Sequence, residues 1–156
     1  MKINKSSRHS KITGDFAESL ILYWLSKYGF ECARVDHTGI DIIARNPRSK
    51  ELMGISVKSR SRSKGGEQES LTVDNSNFGK AKAACEAFGC VPYFAIVVDA
   101  GNTMRGFILP MAHYLNLFPK GKISSSWKMG KKYLEQYSKD PQIKTFVFTT
   151  ETTHWW

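Results

Sequence analysis

Large apolar residues recur every three or four positions near the start of the chain, and this spacing predicts an amphipathic helix. The residues on its apolar face are Ala17, Leu20, Ile21, Trp24, Leu25 and Tyr28. Thr13 is a residue type that caps helices and Gly29 is one that ends them, so the helix is expected between these positions. Residues 1–12 carry four basic side chains and no acidic one, which predicts a flexible basic arm.

Shorter apolar runs, separated by turn-forming residues, follow this helix and predict β-strands. The first three runs cover 30–35, 40–45 and 52–59, and the last two of these are arranged like a hairpin. A second helix is expected at 77–88 and a buried strand at 93–98. The order α-β-β-β-α-β predicts an α/β domain with a central mixed sheet and flanking helices.

The pattern beyond residue 99 predicts a C-terminal extension. Strands are expected at 104–109 and 145–149, with a short helix at 112–117. A further helix is expected because four residues share one face at helical spacing. These residues are Trp127, Gly130, Leu134 and Tyr137.

The chain of 156 residues has the length of one domain. No linker long enough to divide it is present. Residues 13–156 are therefore predicted to form a single domain, with a core at about 13–98 and the extension at about 99–156.

The charge balance indicates that this α/β domain has a particular kind of partner. Lysine and arginine number 23 against 14 acidic residues, a net charge of +9. Such a surplus indicates a polyanion, and nucleic acid before an anionic membrane. The longest apolar stretch, at 90–98, is too short to span a bilayer, so no membrane is expected. The three cysteines have no paired spacing, which predicts a reducing, cytoplasmic location.

Three charged residues fall at corresponding places on neighbouring predicted elements. Glu18 lies at the flank of the apolar face of the first helix, Asp41 in the second strand and Lys58 in the third. Strand alternation points Asp41 away from the adjacent isoleucines, and the hairpin brings it level with residues 56–58. Carboxylates are ligands for Mg²⁺, and a nearby lysine can activate water or stabilise charge. The set predicts metal-dependent phosphodiester hydrolysis, although a strand aspartate followed by a lysine is a weak signal on its own.

The wider pattern around these residues resembles that of the PD-(D/E)XK nuclease superfamily. The matching pieces are Gly14-Asp15-Phe16-Ala17-Glu18, Gly29-Phe30, Arg34, Gly39 to Ala44, and Ile55 to Arg60. The pattern is most similar to the branch containing the archaeal Holliday-junction resolvases and restriction-endonuclease-like proteins, over about residues 13–98. The resemblance implies a restriction-endonuclease-like core, a DNA partner that includes branched DNA, a Mg²⁺ or Mn²⁺ cofactor and, as is common among members, a homodimer.

The resemblance also implies residue roles. The helix glutamate and the strand aspartate bind metal in such proteins, which assigns this role to Glu18 and Asp41, and Lys58 becomes the catalytic lysine. The acid or glutamine that usually stands two residues before the lysine is replaced by Ser56. Its hydroxyl would either ligate the metal or hold a metal-bound water.

The departure at Ser56 leaves two alternatives to this site. The missing carboxylate can come from elsewhere, and the candidates are Asp36, Glu67, Glu69 and Glu86. Alternatively, the chain is a catalytically inactive nuclease fold that serves as a DNA-binding or assembly module. A metal-dependent DNA endonuclease, in repair, recombination or restriction, is the leading hypothesis.

Positive residues alternate along the chain directly after Lys58 and predict contacts with the nucleic-acid backbone. Arg60, Arg62 and Lys64 would share one strand face and line up phosphates. The competing interpretation is a solvated basic edge that blocks strand aggregation. Lys11 in the basic arm is expected to add nonspecific affinity, and His37 lies beside the predicted site as a further phosphate contact.

Overall fold

The computed structural model describes residues 4–154, and this part of the chain forms four helices and eight strands. The helices are α1 (His9–Lys27), α2 (Asn75–Phe88), α3 (Met111–Leu117) and α4 (Lys131–Lys139). The strands are β1 (Glu31–His37), β2 (Ile40–Arg45), β3 (Leu52–Arg62), β4 (Leu71–Asp74), β5 (Val91–Ala100), β6 (Thr103–Pro110), β7 (Ser124–Trp127) and β8 (Lys144–Thr149).

Helix α1 begins five residues earlier than the sequence predicts, with Arg8 and not Thr13 at the cap position. It starts at His9, whose amide donates to the carbonyl oxygen of Ser6. Thr13 lies inside the helix and donates its hydroxyl to the carbonyl oxygen of His9, four residues back. The threonine is therefore not a cap, and the predicted flexible arm is wrong for 9–12, which are helical. Residues 1–3 of the arm lie outside the described residues.

The central sheet has six strands in the order β1-β2-β3-β5-β6-β8. Strands β3 and β5 are parallel and all other neighbours are antiparallel. A parallel pair needs a crossover connection, and here it contains β4 and α2. This mixed α/β sheet confirms the predicted fold class.

Hydrophobic clusters cover both faces of the sheet. Helix α1 packs on one face through Ala17, Ile21 and Leu25. On the other face, Phe78 of α2 packs against Phe94 of β5. The sheet is therefore buried between layers, and α1 and α2 approach it from opposite sides.

The C-terminal extension completes the same core. Strands β6 and β8 extend the central sheet beyond β5. Trp127 is fully buried and stacks on Tyr137 with ring centroids 4.2 Å apart. The predicted helical face through Trp127 and Gly130 is wrong, because Trp127 ends strand β7, which pairs with β4, and the helix begins only at Lys131.

Strand β3 extends to Arg62, beyond the predicted end at residue 59. The following residues 63–70 are held by internal contacts, including an ion pair between Arg62 and Glu69. In the part of the chain that the structure describes, none of the helices combines the length and apolarity needed to cross a bilayer.

Candidate active site

Asp41 lies where β2 and β3 run side by side. Ile42 and Ile55 form the last pair of the β2–β3 ladder, so Asp41 lies just beyond its end. The backbone amide of Val57 donates a hydrogen bond to Asp41 Oδ2 at 2.7 Å. This bond holds the half-buried carboxylate against β3.

The environment of Asp41 opposes its negative charge. Burial raises the pKa of the Asp41 carboxyl, and the negative charge of Glu18 raises it further. The amide of Val57 and the positive charges of Lys58 and Arg34 lower the pKa, but the net direction is upward. A cation beside this carboxylate would compensate the charge that burial disfavours.

Glu18 reaches the same region from α1. The buried residues Ala17 and Ile21 fix this part of the helix on the sheet. Arg34 of β1 donates from Nη2 to Glu18 Oε2 at 2.5 Å, and this bond is the main reason that the pKa of the Arg34 guanidinium is raised. The glutamate is therefore present near Asp41 but paired with an arginine.

Lys58 completes the predicted set from β3. Its register with Ile96 places it on the sheet face that α2 covers. Burial lowers the pKa of the Lys58 ammonium, the negative charge of Asp41 raises it, and the positive charges of Lys80 and Arg60 lower it. The net lowering brings the neutral amine closer to the physiological range than for an exposed lysine.

Ser56 lies two residues before Lys58 on the same face and is only 1% exposed. A buried hydroxyl is neutral and is a weaker metal ligand than a carboxylate. The position that usually carries the third acidic or amide group therefore contributes no charge to this cluster.

In the described residues, none of the four alternative carboxylates gathers with Asp41 and Glu18 into a group of three that could hold a metal ion. Glu69 pairs with Arg62, and Glu67 accepts a hydrogen bond from the amide of Gly65 at 2.9 Å. The carboxylate whose charge acts on the pKa of Asp41 is the glutamate of α1. The other two alternatives are Asp36 on β1 and Glu86 on α2.

The predicted row of phosphate-binding residues differs in exposure and in internal contacts. Arg60 and Lys64 are exposed, and Arg60 donates from Nη1 to the carbonyl oxygen of Ser59 at 3.0 Å. Arg62 pairs with Glu69 and also donates from Nη2 to the carbonyl oxygen of Ser70 at 2.5 Å. Equal spacing in sequence therefore does not make the three charges equivalent, because Arg62 fastens the 63–70 loop.

The remaining predicted contacts lie around the edge of the site. Lys11 is exposed and lies 3.1 Å from Asp15 in an ion pair one helical turn away. His37 packs edge-on against Phe88 with ring centroids 5.1 Å apart. Its Nδ1 is 2.9 Å from the carbonyl oxygen of Thr38.

Sequence reasoning did not assign a role to Arg34 or to Lys80. Arg34 belongs to the family pattern. Its pairing with Glu18 depends on how β1 lies against α1. Lys80 comes from α2, and its charge acts on Lys58 across the layer between helix and sheet. In the sequence, the only indication is a charged residue on one strand that could lie near a carboxylate on a helix. Such pairs are too common to identify either Arg34 or Lys80.

The chain has an α/β fold of the restriction-endonuclease-like type, with a central mixed sheet flanked by helices. The solved structure of Archaeoglobus fulgidus Hjc, a Holliday junction resolvase from an archaeal hyperthermophile, is similar to it, with 21% sequence identity and a TM-score of 0.55. The similarity covers 74% of this chain and 83% of that chain. No protein-family model matches the sequence, and no curated protein matches it.

The donor atoms fit one weakly held divalent ion better than a closed metal cage. Among residues 4–154, no group of three or more histidine, cysteine, aspartate or glutamate side chains forms a metal cluster. Magnesium commonly uses one or two carboxylates and keeps several waters. Asp41 and Glu18 supply two carboxylates, which is this smaller requirement. The charge of Asp41 is not fully compensated, and Glu18 would exchange its pairing with Arg34 for the ion.

Proposed function

We propose that this protein is a metal-dependent endonuclease that hydrolyses DNA phosphodiester bonds. The observation that supports the proposal is the hydrogen bond that holds Asp41 against β3 next to Lys58, with the charge of Glu18 acting on the pKa of both residues. The nuclease fold and the net charge of +9 agree with it. Branched DNA is the proposed substrate class by fold similarity, and a homodimer stays a prediction of the same kind.

Asp41 and Glu18 are the proposed ligands of a Mg²⁺ or Mn²⁺ ion. When bound, such an ion supplies charge neutralisation at the phosphate and lowers the pKa of water. Ser56, two residues before Lys58, is proposed to orient water at the ion through its hydroxyl. Arg34 would turn from Glu18 to the substrate, because a phosphate offers its guanidinium anionic oxygens in place of the carboxylate.

Lys58 is proposed to act on the attacking water or on the charge that develops at the scissile phosphate. Burial favours its neutral form, which is the form that accepts a proton. When Lys58 is protonated, its ammonium instead stabilises the negative charge of the transition state. Lys80 and Arg60 add positive potential around it and so favour approach of the DNA backbone.

Arg60 and Lys64 are the proposed backbone contacts beside the site, with Lys11 and His37 contacting phosphate further out. Arg62 is proposed to act indirectly, by holding the loop that carries Lys64. Contacts of this type give affinity and not sequence preference.

The second candidate function is a catalytically inactive DNA-binding or assembly module. The observation that favours it is the buried, neutral Ser56 at the position of the usual acid or amide. The metal dependence of the wild-type protein separates the candidates, because Ser56→Asp adds a carboxylate and can itself create a metal site. An active nuclease is expected to cut DNA with Mg²⁺ before this change and to need about tenfold less Mg²⁺ after it, whereas the inactive module shows no divalent-ion effect in its wild-type form.

The proposal is tested by incubating supercoiled plasmid and a four-way DNA junction with the protein and Mg²⁺ or Mn²⁺. Wild-type protein is expected to cut at least one of them, and EDTA is expected to stop the reaction. Asp41→Asn and Glu18→Gln are expected to lose the cleavage, while Glu135→Gln, an equal change on the exposed face of α4, retains it. Cleavage that persists in Asp41→Asn would overturn the assignment.

A further inference from the structure

A polar pocket of about 300 Å³ lies between the segment before α1 and the end of β3. Its walls include Lys5 and His9 from the N-terminal side and Ser59 and Arg60 from the sheet. Lys5 connects the two sides, because its Nζ donates to the carbonyl oxygen of Ser61 at 2.6 Å. The N-terminal segment is thus part of an ordered site.

The chemistry of the pocket walls is suited to an anion. Lys5 and Arg60 supply positive charge, and Ser7, Ser10 and Ser59 supply hydroxyls. No carboxylate lines the pocket in the described residues. Two cations and a set of hydroxyl donors around one small volume match the oxygen atoms of a phosphate group.

Two further features agree with a bound anion. His9 Nε2 is enclosed and has no hydrogen-bond partner among residues 4–154, and such atoms usually have a partner in the functional protein. The pocket also lies beside the first turn of the 19-residue helix α1. The positive end of the helix dipole therefore adds to the charge of Lys5 and Arg60.

The pocket adjoins the candidate active site. Ser59 follows Lys58 on β3 but pairs with Val97, so it lies on the sheet face that α1 covers, whereas Lys58 lies on the other face. Thr13, also in the pocket wall, precedes Glu18 by five residues, or about 7.5 Å along the helix. The ladder between β2 and β3 ends at Ile55, and a nucleic-acid strand that passes the edge of β3 beside Lys58 would carry a neighbouring phosphate to this pocket.

We infer that this pocket is a binding subsite for one phosphate of the nucleic-acid strand, next to the phosphate that is cut. The inference rests on the proposed nuclease function for its place in the reaction. The phosphate is either an internal diester or the terminal phosphate of a strand end. Lys5 acts as a binding residue and fixes the N-terminal segment over the strand.

The test measures DNA binding in EDTA, so that it does not depend on cleavage. Fluorescence anisotropy with a labelled duplex gives the affinity and its dependence on salt for wild type, Lys5→Gln and Lys5→Arg. One lost phosphate contact lowers the slope of log affinity against log salt by about 0.9 and weakens binding about five- to tenfold at 0.1 M salt. Lys5→Gln is expected to show both effects and Lys5→Arg neither.

Two variants separate the pocket from a general charge effect. Lys139→Gln removes the same charge from the exposed end of α4 and is expected to leave the slope within about 0.2 of wild type. Ser10→Leu changes no charge and places an apolar side chain in the pocket wall; it is expected to match Lys5→Gln. Equal effects of Lys5→Gln and Lys139→Gln, or wild-type binding by Ser10→Leu, would overturn the inference.

The same assay distinguishes a terminal phosphate from an internal diester. It also separates failure of the pocket inference from failure of the proposed function. A preference for 5′-phosphorylated over 5′-hydroxyl single strands that disappears in Lys5→Gln assigns the pocket to a terminal phosphate, whereas equal binding assigns it to an internal diester. Wild-type protein that binds no DNA contradicts both the pocket and the proposed function. If the protein cuts DNA and neither Lys5→Gln nor Ser10→Leu changes DNA binding, only the pocket inference is contradicted.

Discussion

At the scale of single residues, Asp41 is placed where its charge is unfavourable for folding. Its pKa is raised above the ordinary value of 3.8, chiefly by burial. Above the raised pKa the carboxylate is charged in both states, and the folded state bears the cost of burying it. Below pH 3.8 both states are protonated, and this cost disappears.

Asp41→Asn is therefore expected to raise the melting temperature at pH 7, because it removes a buried charge and can keep the hydrogen bond from Val57. An increase of about 1–3 °C is the scale expected for a change below 1 kcal/mol in a domain of this size. Thermal unfolding monitored by circular dichroism at pH 7 and pH 3.5 checks this. The increase should fade at pH 3.5, and a lower melting temperature at pH 7 would contradict the account of Asp41.

Lys58 gives a second prediction, in the pH dependence of cleavage. Because burial lowers the pKa of its ammonium below 10.5, the rate is expected to rise with pH and to level off below that value if the neutral amine takes the proton. Lys58→Arg keeps a positive charge but stays protonated. It is expected to lose this limb of the pH–rate profile, and the rate at pH 8 should fall about 100-fold or more. A profile with the same limb in Lys58→Arg would assign the titration to another group.

Helix and strand periodicity and the hairpin predict that Glu18, Asp41 and Lys58 lie near one another, and the charge of Glu18 acts on the pKa of both other residues. Their roles stay a prediction. The pairing of Arg34 with Glu18 was not predictable in the same way, because it is a contact between α1 and β1 that depends on tertiary packing. The internal role of Arg62 was missed for the same reason, since alternation along a strand says nothing about the loop that folds back onto it.

At the scale of elements, the turn between β1 and β2 places Asp41 relative to α2. Gly39 in this turn has a φ of +103°, and a Cβ atom there would lie 2.3 Å from the carbonyl oxygen of Lys80. The turn therefore packs on the helix backbone without room for a side chain. This close approach fixes the start of β2 at Ile40, one residue before Asp41.

Gly39→Ala is expected to destabilise the fold by about 2–4 kcal/mol, because both the backbone conformation and the contact with α2 become unfavourable. Urea unfolding measures the effect. Gly79→Ala is the matched control, since Gly79 is helical and no atom lies within 4 Å of its added Cβ; it should stabilise by about 0.5–1 kcal/mol. Wild-type stability in Gly39→Ala would contradict this placement of the turn.

Element boundaries show where local patterns stop being informative. The β2 strand and the C-terminal end of α1 were predicted closely, because a strong apolar pattern meets a clear turn or a glycine. The beginning of α1 was missed because Thr13 has the composition of a cap yet bonds back within the helix. Trp127 was assigned to a helix because its spacing to Tyr137 fits a helical face, but burial against that ring is satisfied equally well from strand β7.

At the scale of the whole molecule, the extension and the core cooperate in one structure. Strands β6 and β8 widen the sheet, and the buried aromatic residues around Trp127 cover the face that α2 leaves open. This packing supports the sheet face that carries Lys58.

The central claim is that Asp41, with Glu18 and Lys58, performs the chemistry and not merely the binding. Single-turnover cleavage of a labelled DNA junction, at protein concentrations that saturate binding, tests it most directly. The account predicts that Asp41→Asn binds the junction within about twofold of wild type but cuts it at least about 100-fold more slowly in Mg²⁺. Cleavage by Asp41→Asn at the wild-type rate under saturation would contradict the account.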